Sequence, residues 1–244
     1  MPLKLQRLFT FAGALQLLPL YQLCLLCAGQ SRNSLICTGC ERDLPLLATL
    51  RCPICAIPTP NGEWCAHCLK MPPAYDYTFA LWEYSFPMDA LIQALKFRQQ
   101  LTIAPWLAST LYKSLSNSLL IEKAGFEIVI PIPGGVSRQR ERGFNQAVEI
   151  ARPLARQLHL PLDTSSVSRA LETTAQSRLP LKLRKHNLRN AFACREQFNG
   201  CSILVVDDVM TSGATLHEFA RTLKKNGARC VTNCVVARAL RFPL

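Results

Sequence analysis

No stretch of this chain holds about twenty uninterrupted apolar residues, the length a helix needs to cross a bilayer, so no membrane-spanning helix is expected. Charged side chains are sparse as well, at 18%. Together with 49% hydrophobic residues over 244 positions, that excludes a largely disordered chain and leaves room for a sizeable core. Acidic residues are few, 16 against 28 Lys+Arg, for a net charge of +12. The surplus fits a solubilising surface, compensation of metal-bound thiolates, or an anionic partner, either a phosphorylated small molecule or nucleic acid. No His-containing finger and no helix-turn-helix spacing occur, which sets aside a zinc-dependent transcription factor. A small-x-small cleavage site before Cys24 is also missing. Lys4 and Arg7 precede an apolar run from Leu8 to Leu20, but Gln16, Pro19 and Gln22 interrupt it. An amphipathic helix packed on the next segment is expected there, rather than a cleaved signal peptide.

What the chain has in excess is cysteine. Eight of its 12 cysteines form four CxxC pairs: Cys24/Cys27, Cys37/Cys40, Cys52/Cys55 and Cys65/Cys68. Two sulfurs separated by two residues suit one metal ion better than two separate bridges, so a reducing compartment, the cytoplasm, is expected. A CxxC on a tight turn points both sulfurs inward, and two such knuckles make a tetrahedral four-sulfur cage suited to zinc. Four pairs allow two ions. Sequential grouping is favoured, with Cys24, Cys27, Cys37 and Cys40 on one ion and Cys52, Cys55, Cys65 and Cys68 on the other. Spacing leaves an interleaved pairing open. Closed four-sulfur sites have no position for a metal-bound water, so structural zinc is expected, not zinc chemistry. His67 lies inside the last knuckle, between two cysteines that make it unnecessary as a ligand. Cys194, Cys201, Cys230 and Cys234 are scattered and are expected in the core.

Met71-Pro72-Pro73 marks a boundary between a cysteine-rich unit, 1–71, and a second unit, 72–244. Beyond it, strand-like and helix-like stretches alternate. Strands are expected at Tyr77 to Tyr84, Glu127 to Pro133, Ser202 to Val206 and Arg229 to Ala237. Helices are expected at Pro87 to Gln99, Thr102 to Ser116, Phe144 to Leu158 and Thr215 to Asn226. That order predicts an α/β fold, a mostly parallel sheet flanked by helices on both faces.

The most informative string is ILVVDDVMTSGAT, Ile203 to Thr215. An apolar strand ends in Asp207 and Asp208, and a small-residue loop opens a helix. In open α/β sheets ligands bind beyond the carboxyl ends of the strands. Thr211, Ser212, Gly213, Ala214 and Thr215 offer backbone N–H groups and hydroxyls at a helix N-terminus, a site for a phosphate monoester. Two carboxylates just upstream can accept hydrogen bonds from vicinal hydroxyls. Diol and phosphate together describe a ribose 5-phosphate. The plainer alternative is an acidic strand end and a helix capped by Thr211 or Ser212.

This string resembles the phosphoribosyl pyrophosphate (PRPP) signature of type I phosphoribosyltransferases. More widely, the chain resembles the ComF competence family (GntX-like, amidophosphoribosyltransferase-like). The likeness takes in the leading CxxC pairs, LKF at Leu95 to Phe97, PIP at Pro131 to Pro133, RGFNQA at Arg142 to Ala147, Arg169 with Gln176, Arg184 with Asn187, and Phe192. Ser212 stands where the signature often has Thr. The resemblance implies a type I phosphoribosyltransferase fold behind a small four-cysteine zinc-ribbon-like module, with PRPP bound together with Mg2+. Asp207 and Asp208 would hold the ribose, and Thr211 to Thr215 the 5-phosphate. Arg138, Arg140 and Arg142, after Gly134-Gly135, would face the pyrophosphate, with Lys96 a further candidate. Gln176 and Arg184 would belong to a closing lid within residues 173–190. A base-binding hood would come from the cysteine module or residues 74–100. The implied role is phosphoribosyl transfer linked to DNA uptake in natural transformation, on an acceptor the sequence does not name. A rival is a non-catalytic accessory that binds single-stranded DNA or senses PRPP, working with other competence proteins. Trp64, Trp82 and Trp106 could stack on bases, although core packing is expected for at least two.

Overall fold

The computed structural model describes residues 22–31, 34–118, 125–135, 140, 142–170 and 190–240. The expected lead-in helix, Arg138, Gln176 and Arg184 lie outside the described residues.

The chain opens with a two-stranded antiparallel ribbon, β1 (Gln22–Leu23) and β2 (Gln30–Ser31), followed by two one-turn helices, α1 (Thr38–Arg42) and α2 (Ala66–Lys70). A parallel four-stranded sheet follows: β3 (Tyr77–Glu83), β4 (Ile128–Pro131), β7 (Ser202–Met210) and β8 (Cys230–Arg238), in the order β3-β8-β7-β4. Between them run α3 (Met88–Phe97), α4 (Ile103–Ser116), α5 (Gln146–Leu158) and α6 (Ala214–Lys225). A short antiparallel pair, β5 (Val167–Arg169) and β6 (Phe192–Cys194), stands apart from the sheet.

β7 shows the layering through its period of two. Leu204 and Val206 join α3, α4 and α5 in one buried cluster, while Ile203 and Val205 join α6 in another. The helices supply matching stripes. Leu216, Phe219, Ala220 and Leu223 of α6 are buried at helical spacing, and so are Ala147, Ile150, Ala151 and Leu154 of α5. The Phe192 ring on β6 meets Phe219 edge-on at 4.9 Å.

The cysteine-rich segment divides between the two layers. Cys24, Ile36 and Leu44 pack into the cluster of α3, α4 and α5, whereas Leu47, Cys52, Ile54 and Cys55 pack into that of α6. Between them, Pro45 to Leu47 lies antiparallel along β3, with Leu47 N–H on the Leu81 carbonyl (2.9 Å) and Glu83 N–H on the Pro45 carbonyl (2.8 Å). This addition covers a sheet edge that would otherwise offer a free row of backbone groups.

Three local readings change. β7 does not stop at Val206 but continues to Met210, because β8 pairs alongside it as far as Met210 opposite Arg238. Gly134-Gly135 at the end of β4, a pair that would permit unusual backbone angles, does not use them: neither has positive φ, whereas Gly143 does, at 79°. Of the four scattered cysteines only Cys234 is buried, the other three being partly exposed.

Candidate functional site

The eight CxxC sulfurs form two groups, Cys24, Cys27, Cys37, Cys40 and Cys52, Cys55, Cys65, Cys68, with the sulfurs of each group within 4.8 Å of one another. The grouping is sequential. A zinc ion bonded to four sulfurs at about 2.3 Å sets sulfur–sulfur edges near roughly 3.8 Å. Cys27 to Cys37 measures 3.7 Å and Cys55 to Cys65 3.6 Å, so the donor set fits the ion. The groups are built alike: Cys37 and Cys65 cap α1 and α2, and each sulfur accepts the N–H three residues on. Within the first group, burial works against the Cys24 thiolate. Hydrogen bonds from Cys37 and other backbone N–H groups outweigh it and bring the thiol down to about 6. Cys40 goes the other way, to about 12, because Cys27 and Cys37 press on it by hydrogen bonding. Four crowded thiols cannot all ionise without a cation among them.

At the carboxyl end of the sheet, Asp207 and Asp208 occupy adjacent positions of β7, so their side chains leave on opposite faces. Asp208 is buried; one of its oxygens accepts its neighbour Val209 N–H at 2.9 Å, and the other pairs with the Lys96 ammonium. Lys96 comes from the last turn of α3 and thus does reach the acid pair. Burial first, then the negative charge of Asp208, raises the Asp207 carboxyl well above the usual carboxylate range.

The three residues after β7, Thr211 to Gly213, form the loop. Gly213 is the N-cap of α6 at φ 75°, so neither Thr211 nor Ser212 takes the cap position and no side-chain cap bond forms there. The Ser212 hydroxyl accepts Ala214 N–H at 3.4 Å. Thr211 and Ser212 are exposed, and Ala214 and Thr215 partly so. A helix that begins on a residue without a side chain presents its first N–H groups and its dipole to an incoming anion. A methyl group on Gly213 would lie 2.7 Å from Met210 Cε and 2.9 Å from the Tyr75 hydroxyl, in a backbone conformation that L side chains resist. Gly213→Ala is therefore expected to displace the loop and weaken phosphate binding by about tenfold or more, with the sheet intact. Titration with ribose 5-phosphate checks this.

The loop after β4 stands beside this one, since β4 neighbours β7 and Ile132 N–H bonds to the Val206 carbonyl at 2.9 Å. Asn145 of the RGFNQ string, buried, caps α5 through Ala147 N–H and donates to the Ile132 carbonyl at 2.9 Å. The pattern of Asn followed by an apolar-periodic run is a helix-start signal that could have revealed this role. Arg142 lies with its guanidinium over the Phe97 ring at 4.7 Å and donates to Gln146, so its head group is held against the end of α3. Arg140 is exposed. Among the tryptophans, buried Trp82 stacks on Trp106 at 5.7 Å, and Trp64 alone is exposed. Sequence reasoning passed over Tyr75 and Arg238, which reach the loop from distant parts of the chain.

Residues 145–241 match the family model of the phosphoribosyl transferase domain, and residues 15–69 that of the double zinc ribbon domain. "DNA utilization protein YhgH" of Escherichia coli (strain K12) is 34% identical over 215 residues, covering 84% of this chain and 91% of the relative. "Competence protein F" of Haemophilus influenzae is 32% identical over 224 residues, 88% of this chain and 96% of the relative. "Competence protein ComFC" of Bacillus subtilis is 27% identical over 198 residues, 79% of each. With one four-cysteine cluster packed on each side of the sheet, the chain belongs to the ComF competence family, in which a double zinc ribbon precedes a phosphoribosyl transferase domain.

Proposed function

We propose that this chain binds PRPP with its magnesium at the carboxyl ends of β4 and β7, and transfers the phosphoribosyl group to a nitrogen acceptor in the course of DNA uptake. The observation that carries the reading is the acid pair of β7 followed, after Val209 to Ser212, by a helix capped by Gly213. Asp207 and Asp208 take the ribose hydroxyls, Lys96 yielding its hold on Asp208 to them. The loop from Thr211 to Thr215 takes the 5-phosphate through backbone N–H groups and hydroxyls. Arg140 and Arg142, in the segment between β4 and α5, would take the charge of the departing pyrophosphate. In the transfer, the acceptor nitrogen forms a bond to ribose C1. The C1–O bond breaks with its electron pair leaving on pyrophosphate, whose charge a bound Mg2+ would offset, and the acceptor loses a proton to solvent. Holding C1 between nucleophile and leaving group is what these residues supply. The link to transformation rests on the names of the competence relatives.

Exposed Trp64 and the net charge of +12 favour a second reading, a strand-binding accessory without turnover. Calorimetry with PRPP and Mg2+, pyrophosphate release across nucleobases and amines, and single-stranded DNA titration at two salt concentrations separate the two. Saturable heat with PRPP and pyrophosphate release with one acceptor class are expected. Silence with every acceptor, joined to strand binding that falls steeply with salt, moves the assignment to the accessory.

A further inference from the structure

We propose that Arg238 is a positioning residue that joins the second cysteine cluster to the loop at Thr211–Thr215, so that the knuckle of Cys52 and Cys55 sets the loop's geometry. The proposal rests on the reading of that loop as the phosphate site. Arg238 ends β8 directly opposite Met210, and it is 1% exposed. Its Nε donates to the Cys55 carbonyl at 2.8 Å. Its Nη1 donates to the carbonyls of Met210 at 3.0 Å, Ala239 at 2.6 Å and Thr211. One guanidinium thus grips a zinc knuckle with one edge and the start of the loop with the other.

The orientation of those carbonyls matters to a ligand. In a trans peptide the C=O and the following N–H point in opposite directions. Drawing the carbonyls of Met210 and Thr211 inward turns the N–H groups of Thr211 and Ser212 the other way, toward the open side of the loop. Successive N–H groups aimed one way make an anion-binding concavity. Arg238 therefore shapes the phosphate cradle from behind without touching the phosphate.

A second strut runs parallel to it. The Tyr75 hydroxyl lies 2.9 Å from where a Gly213 Cβ would stand, and Tyr75 shares a buried cluster with Cys52, Cys55 and Cys68. The knuckle is itself pinned to the sheet, Thr78 N–H donating to the Pro53 carbonyl at 2.9 Å. The first cluster differs: Cys24 packs on the opposite face of the sheet, with α3, α4 and α5. Lysine cannot substitute, because a single ammonium cannot reach the Cys55 carbonyl and the loop carbonyls together in the fork geometry of a guanidinium.

The test uses the full-length, zinc-loaded protein and its Arg238→Lys variant, with Arg238→Met as a second. Three quantities are read: zinc per chain, amide hydrogen exchange of residues 211–215 against the β7 core at 203–206, and Mg-PRPP binding by calorimetry. For Arg238→Lys we expect zinc content and β7 protection as in the wild type. We also expect faster exchange in the loop and binding weaker by about tenfold or more. Loop exchange and affinity both within about twofold of wild type overturn the strut and leave the PRPP reading standing. Wild-type protein that gives no heat with Mg-PRPP overturns the PRPP reading. Loop exchange then decides the strut alone, and an unchanged value in Arg238→Lys sinks it.

Discussion

Asp207→Asn is expected to weaken PRPP binding about a hundredfold and at the same time raise the melting temperature of the ligand-free protein. The two effects have one origin. Burial, and then the charge of Asp208, hold the Asp207 carboxyl well above its usual range in the folded state. The folded protein therefore binds a proton that the unfolded chain gives up near about pH 4, so stability declines as pH rises from there toward the elevated folded value. Asn keeps the shape and removes the charge that is costly to keep there. Each kcal/mol recovered is worth about 2–4 °C in a chain of this size. The variant's stability should vary less with pH over that window. Binding responds in the opposite sense, since the amide puts a donor NH2 where the carboxyl offered a second oxygen to the ribose diol, and a loss of about a hundredfold is expected. Asp208→Asn supplies the contrast. It also weakens binding, but it strands the Lys96 ammonium, 17% exposed, beside a neutral amide, so its melting temperature should fall. Thermal scans from about pH 4 to 8 with calorimetry at neutral pH check both variants. Unchanged PRPP affinity in Asp207→Asn would remove the acid pair from the site.

Much of this arrangement is legible in the sequence, and the remainder has specific physical reasons. The run CSILVV is apolar on both faces, which only a central parallel strand tolerates, so its place was legible. Its far end was not. Asp207 and Asp208 look like a terminus to any hydrophobicity rule, yet β8 continues to pair beside them through Val235 and Ala237. The four CxxC pairs announced their chemistry, but gaps of nine, eleven and nine residues are too alike to dictate which knuckles close together. Only the antiparallel passage of Pro45 to Leu47 along β3 separates them, one to each side of the sheet. Lys96 was recognisable as a cation near a ligand, while its pairing with Asp208, more than a hundred residues on, is a tertiary fact. Arg238 and Tyr75 sit in no motif at all. Arg238 meets Cys55 across a separation of 183 residues, a distance at which local spacing carries no information.

Removing zinc is expected to cost this protein its fold, not merely its ribbon. The size of the effect is the first reason. Zinc held by a structural set of four cysteines contributes about 10–16 kcal/mol to folding in small peptides, and whole domains are stable by only about 5–15 kcal/mol. Losing even part of one site is therefore comparable to the entire margin. Here the sites are built into the core: Cys24 packs with α3, α4 and α5, Cys52 and Cys55 pack with α6, and the segment between them covers the edge of β3. Chelation should consequently expose β3 and lower protection in β7 as well as near the cysteines, in one cooperative step. Metal analysis should give two zinc ions per chain, one for each cluster. Loading near neutral pH should release protons from both sites, because burial, first among the causes, pushes Cys55 up to about 11, and hydrogen bonds from its neighbours push Cys40 to about 12. Each must lose its proton to bind the metal, so zinc affinity falls as pH falls. Calorimetry in two buffers of different ionisation heat counts those protons, and hydrogen exchange during chelation reports how far the unfolding spreads. If exchange rises at the cysteines alone while β3 and β7 keep their protection, the ribbon is an appendage, and the loop at Gly213 draws no support from it.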